Sequence, residues 1–293
     1  MEKGIIIKGI GGFYYVLYNN NDIVECKARG IFRKDKITPM VGDNVKFKIL
    51  KNSHGIIEEI LPRRNQLERP PVSNVDQGII VFSTTNPNPN FQLLDRFLVL
   101  GEKQNLKLII CINKVDLINS GTINNKIVTE RYEKTGYPII FTSIKEYIGI
   151  KELKKHLSNH ISVFAGPSGV GKSSLLNEID MEYNLATNVV SEKINRGKHT
   201  TRHVELLPYG DNGYVVDTPG FSSLSIEDIK KDELMYFFPE YREFLGKCKF
   251  SSCIHIHEPN CAIIEALHKG NINKERYDSY SYFLEEIEKS KLY

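Results

Sequence analysis

The stretch HISVFAGPSGVGKSSLLN, residues 160–177, is the most informative part of this 293-residue chain. Its first part, 160–166, is apolar enough to predict a buried strand, and a helix is predicted from Lys172 onward. The segment between them, GPSGVGKS, matches the pattern G-x-x-x-x-G-K-[ST] of phosphate-binding loops. Because such a loop needs a strand before it and a helix after it, the surrounding sequence supports the match.

The residue types of this loop fit the binding of a nucleoside triphosphate. Glycines let the backbone curl so that successive N–H groups face the phosphates, and a helix N-terminus adds a positive dipole. Lys172 would place a cation between the β- and γ-phosphates, and the Ser173 hydroxyl would bind Mg²⁺. The predicted nucleotide contacts in this loop are Gly166, Pro167, Ser168, Gly169, Val170, Gly171, Lys172, Ser173 and Ser174.

Apolar strands alternate with helical patterns on both sides of the loop. This rhythm is typical of βαβ units, so it predicts an α/β domain with a parallel sheet and helices on both faces. In such sheets the ligand-binding loops gather at the carboxyl ends of the strands. Strands are predicted at 78–84, 106–113, 137–143, 160–166, 203–209 and 213–219, and helices at about 91–104, 123–135 and 150–157.

Two further motifs end predicted strands and indicate the base. In Asn113-Lys-Val-Asp116, the ionised Asp116 only accepts hydrogen bonds. Guanine offers it two adjacent donors, the ring N–H and the exocyclic amine, and adenine offers no such pair, so Asp116 would select guanine. The Lys114 stem would lie against the base, and Asn113 would tie neighbouring loops together. The tripeptide TSI around Ser143 would add a backbone N–H to the guanine carbonyl.

A third motif, Asp217-Thr-Pro-Gly220, predicts a switch that responds to the γ-phosphate. Asp217 would hold Mg²⁺ through water, and the Gly220 N–H would contact the γ-phosphate. A threonine of the preceding segment GKHTTR would contact Mg²⁺ and the γ-phosphate in the GTP state. Thr201 is slightly favoured for this role, and Thr200 is left open. The stretch 186–202 is long and polar, as expected for a loop that only GTP orders.

The residue after Gly220 is Phe221, at the place where Ras-type switches carry the Gln that orients the attacking water. A phenyl ring cannot orient water, so slow hydrolysis by the chain alone and strong stimulation by a partner are predicted. His199 is the candidate for positioning water, and the alternative is that it contacts RNA or only packs. The predicted catalytic residues are His199, Lys172 and Thr201.

The order of these motifs is unusual. The guanine motif at 113 precedes the phosphate loop at 166 and the switch at 217, whereas the phosphate loop comes first in most GTPases. Because the site is assembled in space, a chain joined differently through loops can preserve it. The sequence therefore predicts a circularly permuted GTPase domain over residues 71–221, whose switch leads directly into the C-terminal segment.

Residues 1–70 predict a separate β-barrel, with an OB-fold as the leading candidate, because about five short strands fit into about 65 residues. This segment holds 13 Lys and Arg against 8 Asp and Glu, while the rest of the chain holds 26 against 28. The positive charge favours a polyanionic partner, although a solvated basic face is the equal alternative. Strands are predicted at 12–18, 22–28, 44–50 and 55–61, and Pro70-Pro71 is predicted as a linker.

Basic side chains gather at the end of the predicted strand 22–28 and in the loop after it, with one aromatic residue among them. Phosphate contacts and stacking on aromatic rings are the usual means by which OB-folds hold nucleic acid. The residues concerned are Lys27, Arg29, Phe32, Arg33, Lys34 and Lys36.

Residues 222–293 predict a mainly helical domain that binds a metal ion. Three of the chain's five cysteines, Cys248, Cys253 and Cys261, lie close together, and an odd count argues against a disulfide framework. With one imidazole, from His255 or His257, they would form a closed structural site. Zinc is favoured over iron because such a site is redox-silent.

Together these motifs resemble the ribosome small subunit-dependent GTPase A family of bacterial assembly factors. The matches are GPSGVGKSSLLN, GKHTTRHVEL, DTPGF and Cys248-x4-Cys253-x-His255-x5-Cys261, and they extend over essentially the whole chain. The resemblance selects His255 as the fourth zinc ligand. It implies GTP or GDP with Mg²⁺, one structural Zn²⁺, and binding to the small ribosomal subunit and its rRNA late in assembly. The subunit would stimulate hydrolysis, and hydrolysis would release the factor.

Two rival functions stay open. One is a permuted GTPase that acts on the large subunit, and the other is a nucleotide-gated RNA-binding module with negligible hydrolysis. No apolar run approaches the roughly 18 residues of a membrane span, and the apolar patch Gly4–Ile7 is too short for a signal peptide. We therefore expect a cytoplasmic protein without a membrane partner, and we also expect it to be a monomer.

Overall fold

The computed structural model describes residues 1–19, 22–30, 32, 37–50, 54–68, 70–118, 125–186, 204–209, 212–216 and 224–290. The chain forms two compact units, and each combines segments that are far apart in sequence. The first unit comprises Met1–Gly78, Ile150–Phe164 and Ser173–Ser222, and the second comprises Ile79–Gly149, Ala165–Lys172 and Ser223–Tyr293. Among the described residues, no helix has the length and apolar character that crossing a membrane requires.

The N-terminal part of the first unit is a closed five-stranded barrel, which confirms the predicted OB-fold. Its strands are β1 (Glu2–Ile10), β2 (Phe13–Tyr18), β3 (Asp22–Ala28), β4 (Asn44–Ile49) and β5 (His54–Ile60). They close in the order β1-β2-β3-β5-β4, and only the β3–β5 pair is parallel. Ile6, Val16 and Phe47 are fully buried inside. The four strands expected from the sequence are confirmed to within one residue at each end, whereas β1 was not identified.

A short hairpin follows the barrel and is tied to it by a buried carboxylate. Strands β6 (Gln66–Leu67) and β7 (Val72–Ser73) pair around Pro70 and Pro71, which were predicted as a linker. Asp43 is fully buried and accepts hydrogen bonds from Arg63 Nε and Ser73 Oγ, both at 2.7 Å. Because these bonds join the hairpin to the barrel, the two prolines lie in a structured turn.

Three neighbouring strands of one sheet lie almost entirely in the second unit. Strands β8 (Gln77–Ser83), which begins in the first unit, β9 (Lys107–Asn113) and β10 (Ile139–Thr142) lie in the order β10-β9-β8, with β9 and β10 parallel. Every residue of β8 is buried, as expected for a strand that is covered on both faces. Helix α1 (Phe91–Lys103) follows β8, and its first turn is capped by the Asn90 side chain. Helix α2 (Asn125–Tyr132) follows β9.

Of the three remaining strands of the α/β part, one begins in the first unit and the other two lie entirely within it. Helix α3 (Ile150–Leu157) leads into β11 (Ile161–Ala165), which ends in the second unit and is followed by helix α4 (Lys172–Ala186). Strands β12 (Leu206–Tyr209) and β13 (Gly213–Val216) form an antiparallel pair, and β13 runs parallel to β11. A Cβ at Gly213 would lie 2.2 Å from Leu157 O, so the close approach of α3 requires glycine.

The C-terminal segment of the second unit is mainly helical, as predicted. Two 3₁₀ turns, Leu234–Phe237 and Pro239–Tyr241, precede helices α5 (Ala262–His268) and α6 (Lys274–Ser290), and residues 224–290 contain no strand. Phe238, Tyr241 and Tyr280 are fully buried, with ring centroids 5.2 or 5.3 Å apart. This aromatic cluster packs α6 against the 3₁₀ turns.

Candidate nucleotide site and metal cluster

The phosphate-loop motif forms the turn between β11 and α4, as the sequence predicted. Gly166, Gly169 and Gly171 have φ angles of +138°, +83° and +98°, which other residues rarely adopt. A Cβ at Gly166 would lie 2.0 Å from Val81 O, and one at Gly171 would lie 2.4 Å from Asn113 Nδ2. The glycines are therefore needed both for the curl of the loop and for the approach of β8 and β9.

Lys172 is the first residue of α4, and its ammonium lies inside the curl of the loop. Lys172 Nζ donates to Gly166 O and Pro167 O, both at 2.7 Å. Partial burial lowers the pKa of this lysine. Val170 is buried, Pro167 is half-buried, and the exposed side chains of the motif are Ser168, Ser173 and Ser174.

Asn113, the last residue of β9, connects three loops of the second unit. Its Nδ2 donates to Val170 O at 2.9 Å, and its Oδ1 accepts from Thr142 Oγ1 at 3.0 Å. The side chain is almost completely buried, so these bonds are shielded from water. The guanine motif and the phosphate loop therefore meet at one place, which is the arrangement that the permuted order required.

Lys114 and Asp116 follow Asn113 and are held by different partners. Lys114 has a left-handed backbone, with φ +64°, and its Nζ donates to Gly169 O at 2.7 Å and to Asn86 O. Asp116 lies in a 3₁₀ turn, Val115–Leu117, and Asp116 Oδ1 accepts from Ser143 Oγ at 2.7 Å. This contact orients the carboxylate that was predicted to select guanine.

Ser143 also makes a side-chain contact that was not expected from the sequence. The Ser143 backbone N–H donates to Ile148 O at 3.1 Å, and the backbone N–H that the tripeptide TSI was expected to offer to guanine stays a prediction. The Ser143 hydroxyl positions the Asp116 carboxylate. The sequence gives no sign of this contact, because it depends on two strand ends lying side by side.

The predicted switch residues lie outside the described residues. They are His199, Thr200, Thr201, Asp217, Gly220 and Phe221. Their roles stay predictions.

The predicted metal ligands come together in the C-terminal segment. The ligand atoms of Cys248, Cys253, His255 and Cys261 all lie within 4.8 Å of one another. His255 Nδ1 lies 3.5, 3.3 and 3.3 Å from the three sulfur atoms, and two of these sulfurs are 3.9 Å apart. A tetrahedral zinc site with ordinary bond lengths has S–N and S–S edges of about 3.5 and 3.8 Å. The residues therefore fit a tetrahedral metal ion, and His257 is exposed and outside the cluster.

The groups around the cluster fix its geometry. His255 Nε2 lies 3.3 Å from Met235 Sδ, so Nδ1 is the nitrogen that faces the thiols. Burial raises the pKa of the Cys253 thiol to about 12, and a bound cation would be needed to hold it as a thiolate at neutral pH. Although burial opposes it, backbone N–H groups of residues 254, 256 and 257 lower the pKa of Glu258 to about 2. This carboxylate therefore braces the turn between the ligands.

A groove of about 820 Å³ lies on the barrel, in the region where basic residues were predicted to bind nucleic acid. Lys27 Nζ lies 4.9 Å from the centre of the Phe13 ring, and Arg29 forms an ion pair with Glu58 at 2.6 Å. Phe32 is only 8% exposed, so its ring belongs to the packed interior and is not an open stacking surface. Arg33, Lys34 and Lys36 lie outside the described residues.

Comparison with known families agrees with this architecture. A family model described as RsgA GTPase matches residues 60–227, more than half of the chain. The chain belongs to the RsgA GTPase family. A second model, RsgA N-terminal domain, matches residues 3–57, which cover almost the whole barrel. As a member of this family the chain is a GTP-hydrolysing enzyme.

Relatives and solved structures match the chain over nearly its full length. Proteins named Small ribosomal subunit biogenesis GTPase RsgA are 51% identical in Clostridium botulinum strain 657, over 97% of both chains, and 49% identical in Alkaliphilus metalliredigens, over 100% of both. The structure of YloQ, described as a circularly permuted GTPase, is 42% identical, with a TM-score of 0.84 over 99% of this chain and 96% of that one. YjeQ from Thermotoga maritima is 37% identical, with a TM-score of 0.85 over 98% of both.

These RsgA relatives confirm the predicted fold class. The motif order of this chain, with Asn113 to Asp116 ahead of Gly166 to Ser173, is that of a circularly permuted GTPase. The barrel at the N-terminus and the Cys₃His cluster near the C-terminus complete the expected three-part architecture.

Proposed function

We propose that this chain binds the small ribosomal subunit late in its maturation, and that GTP hydrolysis stimulated by the subunit releases it. The main support is 51% and 49% identity, over nearly the full length, to relatives named small ribosomal subunit biogenesis GTPase. The Asn113 contacts, which hold the predicted guanine and phosphate loops together, support a nucleotide site at this place. The protein would act as a monomer in the cytoplasm, where bacterial ribosomal subunits mature, without a membrane partner.

The loop from Gly166 to Ser174 would bind the phosphates of GTP or GDP. Its backbone N–H groups and the N-terminus of α4 attract the negative charge. Lys172 would exchange its bonds to Gly166 O and Pro167 O for bonds to β- and γ-phosphate oxygens. Asp116, held by the Ser143 hydroxyl, would accept both donors of guanine, and the Lys114 stem would cover the base.

The residues of the predicted switches would complete the site in the GTP state. Mg²⁺, when bound, neutralises charge on the β- and γ-phosphate oxygens. The Ser173 hydroxyl and Thr201, with Thr200 as the alternative, would hold it directly, and Asp217 would hold it through water. The Gly220 N–H would contact the γ-phosphate, so its position reports whether that phosphate is present.

The other two parts of the chain would serve binding and stability. Lys27 and Arg29 on the barrel, with Arg33, Lys34 and Lys36, would contact rRNA phosphates. Cys248, Cys253, His255 and Cys261 would hold one Zn²⁺ as a structural ion. Four protein ligands leave no position for a substrate, so the metal would take no part in hydrolysis.

GTP turnover tests this proposal, measured with purified small subunits, with large subunits and with neither. Small subunits should raise the turnover number at least about tenfold, because Phe221 cannot orient water as the Gln of Ras-type switches does and unstimulated hydrolysis is therefore slow. Large subunits should leave the turnover number unchanged. His199→Ala should remove most of the stimulation and leave GTP affinity unchanged. If large subunits stimulate turnover and small subunits do not, the protein is a large-subunit factor. Negligible hydrolysis in all three arms would indicate a nucleotide-gated RNA-binding module.

A further inference from the structure

Residues 83–87 comprise the last residue of β8 and the loop after it. They belong to none of the motifs that the sequence displayed, yet they form hydrogen bonds to the guanine motif. Thr84 is only 3% exposed. Its backbone N–H donates to Asn113 O at 3.1 Å, and its hydroxyl donates to Lys114 O at 2.8 Å. One residue therefore binds two successive carbonyl groups of the guanine motif.

The second of these bonds acts on the most strained residue of the motif. Lys114 has a left-handed backbone, which a non-glycine residue keeps only when its surroundings determine it. Lys114 O also accepts the Leu117 N–H at 3.0 Å, and this bond closes the 3₁₀ turn that carries Asp116. The Thr84 hydroxyl therefore fixes the carbonyl from which the Asp116 turn begins.

The same loop also contacts the phosphate-binding loop. Asn86 O accepts a hydrogen bond from Lys114 Nζ, which also donates to Gly169 O. A Cβ at Gly169 would lie 3.5 Å from Pro87, so the two loops are in contact. Ser83 Oγ donates to Pro87 O at 2.9 Å and fixes the shape of residues 83–87. The segment thus contacts both predicted nucleotide loops.

We propose that Thr84 is a positioning residue for guanine recognition, acting through the backbone of Lys114 on the Asp116 carboxylate. This inference rests on the proposed role of Asp116 in binding the base. A bidentate contact requires both carboxylate oxygens to align with the ring N–H and the exocyclic amine. Loosening the turn that carries Asp116 weakens the contact with the amine as well as with the ring, so the preference for guanine over hypoxanthine falls.

The test compares GDP with IDP, whose base lacks the exocyclic amine, by calorimetric titration of the full-length protein. Thr84→Val keeps the shape of the side chain and removes the hydroxyl, and it should reduce the ratio of GDP to IDP affinity about fivefold to tenfold. Thr84→Ser restores a hydroxyl and should recover the wild-type ratio. Thr85→Val is the matched control, because the half-buried Thr85 side chain has no hydrogen bond to another described residue. Thermal unfolding of each variant measures stability separately.

Three outcomes overturn the inference. Wild-type affinities of Thr84→Val for both nucleotides show that the hydroxyl does not position Asp116. Equal losses for GDP and IDP, accompanied by a lower melting temperature, show a merely structural role. A wild-type protein without preference for GDP removes the guanine assignment of Asp116 and this inference together. If Thr84→Val does not fold, the smaller Thr84→Ala is subject to the same criteria.

Discussion

Asp116 is the residue on which the choice of nucleotide depends in the proposed site. Its carboxylate accepts the Ser143 hydroxyl at 2.7 Å and lies on a turn that Lys114 begins. An ionised carboxylate suits guanine because guanine presents two adjacent donors. An asparagine amide at the same position has an N–H donor in place of one carboxylate oxygen. It therefore suits xanthine, which has a carbonyl group where guanine has its amine.

Asp116→Asn should therefore change the preference from guanosine to xanthosine nucleotides. Loss of a charge-assisted bidentate contact should weaken GDP binding about 100-fold, and XDP should then bind better than GDP. Fluorescence titration with labelled GDP and XDP measures both affinities. Asp228→Asn is the control, since that side chain is 70% exposed and should leave both affinities unchanged. Wild-type GDP affinity in Asp116→Asn would show that another group reads the base.

For single residues, the sequence predicted those contacts that follow from the residue type alone. The glycines of the phosphate loop and the linking role of Asn113 follow from chemistry that a short motif displays. The Thr84 and Ser143 hydroxyls could not be predicted in the same way. Threonine and serine are common at strand ends, and only the folded chain shows that their hydroxyls reach Lys114 O and Asp116.

Helices α1, α2 and α6 meet around one buried carboxylate, Asp95 of α1. Asp95 accepts hydrogen bonds from Tyr132 of α2 and from Arg276 and Ser279 of α6, at 2.8, 2.7 and 2.6 Å. Arg276 is completely buried and also binds Glu240, and its guanidinium lies 4.6 Å from the centre of the Phe238 ring. Although burial alone would lower it, the two carboxylates hold the pKa of Arg276 well above its usual value.

Arg276→Met should destabilise the second unit by about 3–5 kcal/mol, because it leaves the buried Glu240 carboxylate without its cation. Urea unfolding, followed by the fluorescence of the tyrosines, measures the loss. The double variant Arg276→Met, Glu240→Met removes both charges and should lose less than the single one. Lys274→Met on the same helix is the control: its side chain is 75% exposed, and the change should cost less than about 1 kcal/mol. An equal loss for Lys274→Met would contradict the argument.

The elements themselves could be predicted wherever the apolar period was clear. Helix α1 was expected at 91–104 and is Phe91–Lys103, and α3 was expected at 150–157 and is Ile150–Leu157. Strand β1 was missed because its glycines and lysines interrupt the alternation and its apolar run is short. The hairpin of β6 and β7 was missed for another reason: two-residue strands have no period, and the bonds to Asp43 hold them in place.

For the whole molecule, the order of motifs carried more information than any single element. Asn113 precedes Gly166 in the chain, and both loops nevertheless belong to the second unit, together with residues 223–293. The sequence could indicate the permutation because each motif has its own chemistry. It could not show that the C-terminal segment packs on α1 and α2 through Asp95, because a buried ion pair leaves no periodic pattern. The domain limits at residues 70 and 221 stay predictions.

The Cys₃His cluster belongs to the second unit, so loss of its metal should affect that unit far more than the barrel. Binding of a structural zinc ion contributes about 10–16 kcal/mol in small zinc modules, which equals or exceeds the net stability of most domains. Cys253→Ser should abolish stoichiometric zinc in elemental analysis and remove hydrogen-exchange protection from residues 248–268, while β1 to β5 stay protected. Cys26→Ser, at a buried thiol inside the barrel, is the control and should keep its zinc. Full zinc content and unchanged protection in Cys253→Ser would show that the four residues do not form a metal site.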